Sequence, residues 1–113
     1  MTSPDSVFAQ LMSVIEQRKA TLPEKSYTTQ LFRGGVDKIG EKITEEAAEV
    51  VGAARETDAD AHTHLVREAG DLLYHLLVML AHRDVRLEEV AAELAGRFGI
   101  SGLEEKASRP PKA

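Results

Sequence analysis

Apolar residues recur every three or four positions over four stretches of the chain, and short polar, proline- or glycine-containing intervals separate them. That spacing puts the apolar positions on one helical face, so it predicts helices and not strands. Val7, Leu11, Val14 and Ile15 mark a first helix from Val7 to Lys19, with Asp5 or Ser6 as its cap. Pro23 then breaks the pattern, and the polar run Thr21 to Thr29 is expected to be a loop. Gly34-Gly35 precedes a second helix, Val36 to Glu56, whose apolar positions are Ile39, Ile43, Ala47, Val50, Val51 and Ala54. Thr57 to Asp60 offers Asp and Thr as caps for a third helix that runs to His82 or Arg83. After the turn Arg83 to Arg86, Leu87, Val90, Leu94 and Phe98 mark a fourth helix, ended by Gly99. Glu104 to Lys106 is compatible with one more helical turn. The expected fold is therefore all-α, a short bundle of four to five helices.

The third stretch changes character along its length. From Leu72 to Ala81 every position is apolar except Tyr74 and His75, so no face of that section suits water, and it is expected to be buried all round. So few short helices cannot enclose such a rod, which predicts a homodimer whose subunits pool their long helices. Gly52 and Gly70 lie inside helical patterns, where each costs about 1 kcal/mol relative to alanine. They mark either a close backbone approach or simple tolerance among strong helix formers.

Polar positions supply the chemistry. Glu46-x-x-Glu49 and Glu68-x-x-Asp71 place two carboxylates on one face of the second helix and two on one face of the third. Packed antiparallel, the two helices bring four carboxylates together. That concentration of charge calls for a cation, and hard oxygen ligands suit Mg²⁺ or Mn²⁺. A solvated acidic face is the bland alternative, weakened here because Asp71 directly precedes the apolar section.

Composition narrows the classes. At 113 residues the chain is one domain, expected to span residues 1–109 with a disordered tail at 110–113. Only 4% of residues are aromatic and none is Trp, so the core rests on aliphatic side chains. The absence of cysteine excludes disulfides, thiolate metal sites and cysteine nucleophiles. A net charge of −5 argues against a general nucleic-acid surface. The first residues lack a secretory pattern and no apolar run is long enough to span a bilayer, so a cytoplasmic location without membrane contact is expected.

Other polar residues are less informative by themselves. His75, in an apolar helix, fits a satisfied core residue better than a ligand, and Tyr74 fits packing with its hydroxyl bonded. Ser26, Tyr27, Thr28 and Thr29, with Lys19, Lys25 and Arg33 nearby, suit phosphate or ribose oxygens, although no Walker-type or dinucleotide glycine motif occurs. His62, His64 and His82 read as surface positions, and His62-x-His64 diverges by about 200° on a helix.

These residues carry a resemblance. Glu45-Glu46-x-x-Glu49 followed by Glu68-x-x-Asp71 is similar to the acidic signature of the all-α nucleoside triphosphate pyrophosphatases, the MazG-like superfamily. Arg18-Lys19, Ser26-Tyr27-Thr28, Gly35, Lys38-Ile39, Lys42, Asp71-Leu72-x-Tyr74-His75 and Gly102 to Arg109 resemble, more narrowly, the phosphoribosyl-ATP pyrophosphohydrolase family of histidine biosynthesis. Gly70 stands where alanine is expected and Arg86 where a capping serine is expected. The resemblance implies Mg²⁺-dependent hydrolysis of phosphoribosyl-ATP to phosphoribosyl-AMP and pyrophosphate. It implies Glu46, Glu49, Glu68 and Asp71 as metal ligands, with Glu45 or a ligand carboxylate such as Glu46 activating water. Lys19, Ser26, Tyr27, Thr28, Lys38 and Lys42 are the implied substrate contacts, Lys38 and Lys42 having ion pairing with Glu45 and Glu46 as an equal alternative. The chain looks like the stand-alone form, functionally linked to a phosphoribosyl-AMP cyclohydrolase. A house-cleaning nucleoside triphosphate pyrophosphatase and a non-enzymatic helical dimerisation module are the rival readings.

Overall fold

The computed structural model of the chain describes residues 4–99. The expected tail, with its Gly102 to Arg109 segment, lies outside them. The described residues form four helices, α1 (Pro4–Thr21), α2 (Tyr27–Ala54), α3 (Ala61–His82) and α4 (Leu87–Phe98), and no strand. None of these helices is long and apolar enough to cross a membrane.

α1 starts earlier than the apolar pattern suggests. Pro4 occupies its first turn, where a missing N–H costs nothing, so Asp5 and Ser6 lie inside the helix and not at its cap. Met12 and Ile15 are its buried residues.

The larger departure is at α2. The expected loop ends at Ser26, whose Oγ accepts the Thr29 N–H at 3.3 Å and so caps a helix that begins at Tyr27. The first eight residues of that helix bury Thr28, Thr29, Leu31 and Phe32. Hydroxyl residues disfavour a helix interior locally, but here their burial against α3 overrides propensity. Gly35 then breaks the helical path with φ 73° and ψ −163°, a conformation open in practice only to glycine. α2 is thus two helical segments joined at a kink, which lets its first part fold over α3 while the remainder carries the acidic face.

α2 and α3 run antiparallel. This holds beyond the Gly35 kink, where Gly40 faces Met79, Glu46 meets Glu68 and Asp71, and Glu56 meets His64; before the kink, Tyr27 meets His75 and Phe32 stacks on His82, so that segment runs along α3 in the same direction. Ile15, Leu31, Phe32, Ile39, Leu77, Val78 and Ala81 make the core at one end of this pair, with α1 packed across it. Gly52 and Gly70 lie in open space, since a Cβ at either meets no atom within 4 Å, so they mark tolerance and not close approach.

Within one chain the Leu72 to Ala81 section is not buried all round. Leu77, Val78 and Ala81 face the core, whereas Leu73 and Leu76 are 41% and 42% exposed. Together with Phe8, Leu80, Leu87 and Leu94 they line an open apolar groove between α1, α3 and α4. α4 buries no residue. At its start the Arg86 N–H donates to Glu89 Oε2 at 2.9 Å, the half of a capping box that needs no serine side chain.

Candidate metal centre

Glu46 leads the site. The helical register of α2 that buries Ile39 and Ala53 also turns Glu46 inward, so its side chain is buried while its neighbours Glu45 and Glu49 are exposed. From α3, Glu68 and Asp71, three apart and on one face, meet it. One carboxylate oxygen from each of Glu46, Glu68 and Asp71 can be chosen so that all three lie within 4.8 Å of one another. Glu46 Oε2 and Glu68 Oε1 are buried with no hydrogen-bond partner. Burial pushes the Glu46 carboxyl above its ordinary range, and the charges of Glu49, Asp71 and Glu68 push it further.

Two orphaned anionic oxygens in a shared, water-poor space are costly unless a cation satisfies them. Three carboxylate oxygens this close together could converge on one small hard cation. The donor set is all oxygen, which suits Mg²⁺ or Mn²⁺ over softer metals. The residues present therefore fit a hard divalent cation.

Around the carboxylates stands a set of polar groups. Lys42 Nζ contacts Glu45 Oε1 at 3.5 Å, and its pKa is raised, first by Tyr27 and then by Glu45. Burial raises the Tyr27 phenol, with the Lys42 charge opposing it. His75 is buried; its Nδ1 donates to the Asp71 carbonyl at 2.8 Å, which leaves Nε2 to accept the Tyr27 hydroxyl at 2.8 Å. His75 is thereby a tie between the start of α2 and the turn of α3 that bears Asp71, as its apolar setting suggested.

A family profile described as phosphoribosyl-ATP pyrophosphohydrolase matches residues 8–98. The chain belongs to that family. It is 55% identical over 102 residues to the phosphoribosyl-ATP pyrophosphatase of Rhodopirellula baltica, covering 90% of this chain and 85% of the relative. Against the protein of the same name from Nitrosospira multiformis it is 47% identical over 109 residues, 96% of this chain and 87% of the relative. The Rhodobacter capsulatus protein of that name is 49% identical over 104 residues, 92% of this chain and 98% of the relative.

Not every residue expected at the pyrophosphohydrolase site gathers there. Glu49 adjoins Glu46 but lies outside the set of three. Ser26 is the α2 cap, and the buried Thr28 hydroxyl pairs with that of Tyr74. Lys38 is exposed, its stem lying over Gly34, where a Cβ would collide with it.

Lys19 lies apart from the carboxylates. Its ammonium donates to the carbonyls of Ala81 at 2.9 Å and His82 at 3.2 Å and pairs with Asp84 at 2.6 Å. This is the carboxyl end of α3, about 15 Å along the helix from Asp71. A cation there satisfies end carbonyls and complements the helix dipole. Lys19→Ala is expected to lower the melting temperature by about 4–8 °C, the effect of losing about 1 kcal/mol in a domain of this size, with turnover changed by no more than a few-fold. A normal melt with crippled turnover would return Lys19 to the substrate.

His64 is the residue that surface reasoning missed. It is only partly exposed, and both ring nitrogens face carboxylates: Nδ1 lies 2.9 Å from Glu56 Oε1, and Nε2 lies 3.1 Å from Glu68 Oε2. Its pKa is raised, most by the Glu56 bond; burial, the next largest effect, opposes this, and the Glu56 charge and the Glu68 contact add to the rise. Its one sequence signal is the four-residue spacing to Glu68.

Proposed function

We propose that this protein hydrolyses phosphoribosyl-ATP to phosphoribosyl-AMP and pyrophosphate, the second step of L-histidine biosynthesis, with Mg²⁺ held by Glu46, Glu68 and Asp71 and adjoined by Glu49. The observation that carries this reading is the pair of orphaned buried oxygens, Glu46 Oε2 and Glu68 Oε1, within a chain of this family. When bound, the ion supplies charge neutralisation for the triphosphate and lowers the pKa of water.

The residues of the chain have separate tasks. Glu46, Glu68 and Asp71, preorganised on two packed helices, would hold the cation that offsets the triphosphate charge. Glu45, exposed at the rim, is placed to orient the attacking water and take its proton as it adds to the α phosphorus. The bond to the β-phosphate oxygen breaks as that water adds, and pyrophosphate leaves. Lys42, and Lys38 one turn before it, offer ammonium groups to the oxygens on which charge develops. Tyr27, held by His75 and close to Lys42, presents its ring and hydroxyl to the nucleotide beside them.

The same reading makes the protein a cytoplasmic homodimer. The groove lined by Leu73, Leu76 and Leu94 leaves apolar side chains in water, and α4 buries none of its own residues, so a second copy seated there would give both a core.

Pyrophosphate release tests the activity. With Mg²⁺, phosphoribosyl-ATP is expected to be cleaved in strong preference to ATP, dCTP and dUTP at equal concentration, and EDTA abolishes release. Equal cleavage of the free nucleotides would keep the metal chemistry and make this a general nucleotide pyrophosphatase. No release from any of them would leave a helical interaction module.

A further inference from the structure

His64 sits one turn before Glu68 on α3 and reaches back to Glu56, just beyond the end of α2. Its Nδ1 contacts both Glu56 oxygens, at 2.9 and 3.0 Å, and its Nε2 contacts Glu68 Oε2 at 3.1 Å. Ionised carboxylates only accept, so an imidazole between two of them donates from both nitrogens. Glu68 is largely buried, its side chain 13% exposed, and its other oxygen, Oε1, has no donor. Among the described residues the hydrogen bond from His64 is thus the one that fixes the Glu68 carboxylate, and Glu56 in turn fixes the ring.

We propose that His64, anchored by Glu56, is a positioning residue of the metal centre: it grips Glu68 Oε2 and so presents Oε1 to the cation. This rests on the metal-centre reading above. Glu68 has three rotatable side-chain bonds, and a ligand left to rotate loses affinity when it must be ordered on binding. The carboxylate–imidazole–carboxylate chain also links the far end of α2 to α3, one turn from the ligand, and so fixes the spacing of the two helices that supply ligands.

The charge of His64 makes the sign of the effect decisive. A cation beside Glu68 repels a divalent ion, so if His64 acted through charge alone, its removal would tighten metal binding. If it acts by orientation, removal weakens binding, because Glu56 on the far nitrogen already offsets most of the imidazolium charge. Loss of an outer partner of a ligand typically costs 10–100-fold in metal affinity.

Calorimetric titration of the full chain with Mn²⁺ alone, supported by the Mn²⁺ resonance spectrum, tests this. His64→Gln keeps an amide donor where Nε2 stands and is expected to bind Mn²⁺ within about threefold of the unaltered chain, whereas His64→Asn, whose amide lies toward Glu56, binds about 10-fold more weakly or worse. Glu56→Ala, which frees the ring, falls with His64→Asn. Equal affinity in His64→Gln and His64→Asn, or tighter binding in His64→Ala, would overturn the positioning role while leaving the metal centre standing. If the unaltered chain binds Mn²⁺ no better than Glu46→Ala does, the metal centre itself falls and the positioning role with it. Thermal melts of each variant confirm that affinity is read on folded protein.

Discussion

Glu46→Ala and Asp71→Ala are each expected to lower turnover by about 100-fold or more, because each removes a carboxylate from a centre that must both hold a cation and place the phosphoanhydride. For Glu46 the metal-free protein should move the other way. Burial and three neighbouring carboxylates hold the Glu46 pKa above its ordinary value. A carboxyl whose pKa is raised by folding favours the folded state fully at pH values below the unfolded-state pKa. That contribution is lost as pH rises through the folded-state pKa. At neutral pH metal-free Glu46 is thus a liability, and Glu46→Gln, which keeps the shape and removes the charge, is expected to raise the metal-free melting temperature by a few degrees. The advantage should vanish on acidification below the carboxylate range and reverse in saturating Mg²⁺, where the unaltered protein alone gains from the ion. Turnover and melts with and without Mg²⁺ check both parts. Near-normal turnover in both alanine variants would remove the ligand assignment, and an unaltered metal-free melt in Glu46→Gln would mean that the cluster carries no repulsion.

Leu73→Glu combined with Leu76→Glu is expected to weaken self-association by about 100-fold, which corresponds to about 2.7 kcal/mol. Both side chains are roughly two-fifths exposed in the single chain, so carboxylates there meet water and leave the monomer's core of Leu77, Val78 and Ala81 intact. In a dimer that covers the groove the same carboxylates lose water without gaining partners. Sedimentation across a dilution series reads the change directly. A dimer unaffected by the pair would mean that the second copy packs elsewhere, and a dilute, stably folded unaltered monomer would mean that this face is not a self-association surface at all.

Much of this arrangement was legible along the chain because it depends on local periodicity. The helical repeats at Val36 to Glu56 and in α4 are set by spacing, and so is the sharing of a face by Glu68 and Asp71. The family signature likewise reads in order along one strand of text. Propensity misled at Tyr27 to Gly34, where the hydroxyls and glycines resemble a loop. The first turn forms because Ser26 caps it and because Thr29, Leu31 and Phe32 find a buried surface on the other side of the chain.

Cross-helix relations are different in kind. Spacing on α2 treats Glu45, Glu46 and Glu49 alike, and only the register of α2 against α3 turns Glu46 inward and joins it to Glu68 and Asp71. The same register brings Glu56 to His64, and the packing of α1 on α3 takes Lys19 to the carbonyls of Ala81 and His82. The sequence by itself determined the helices, the acidic chemistry and the family, since each follows from residue type and separation along a short stretch. Which carboxylates lose water together, and which basic groups hold them or cap helices instead, was decided by tertiary structure, because desolvation and contact depend on groups that are distant in the chain and adjacent only once the helices pack.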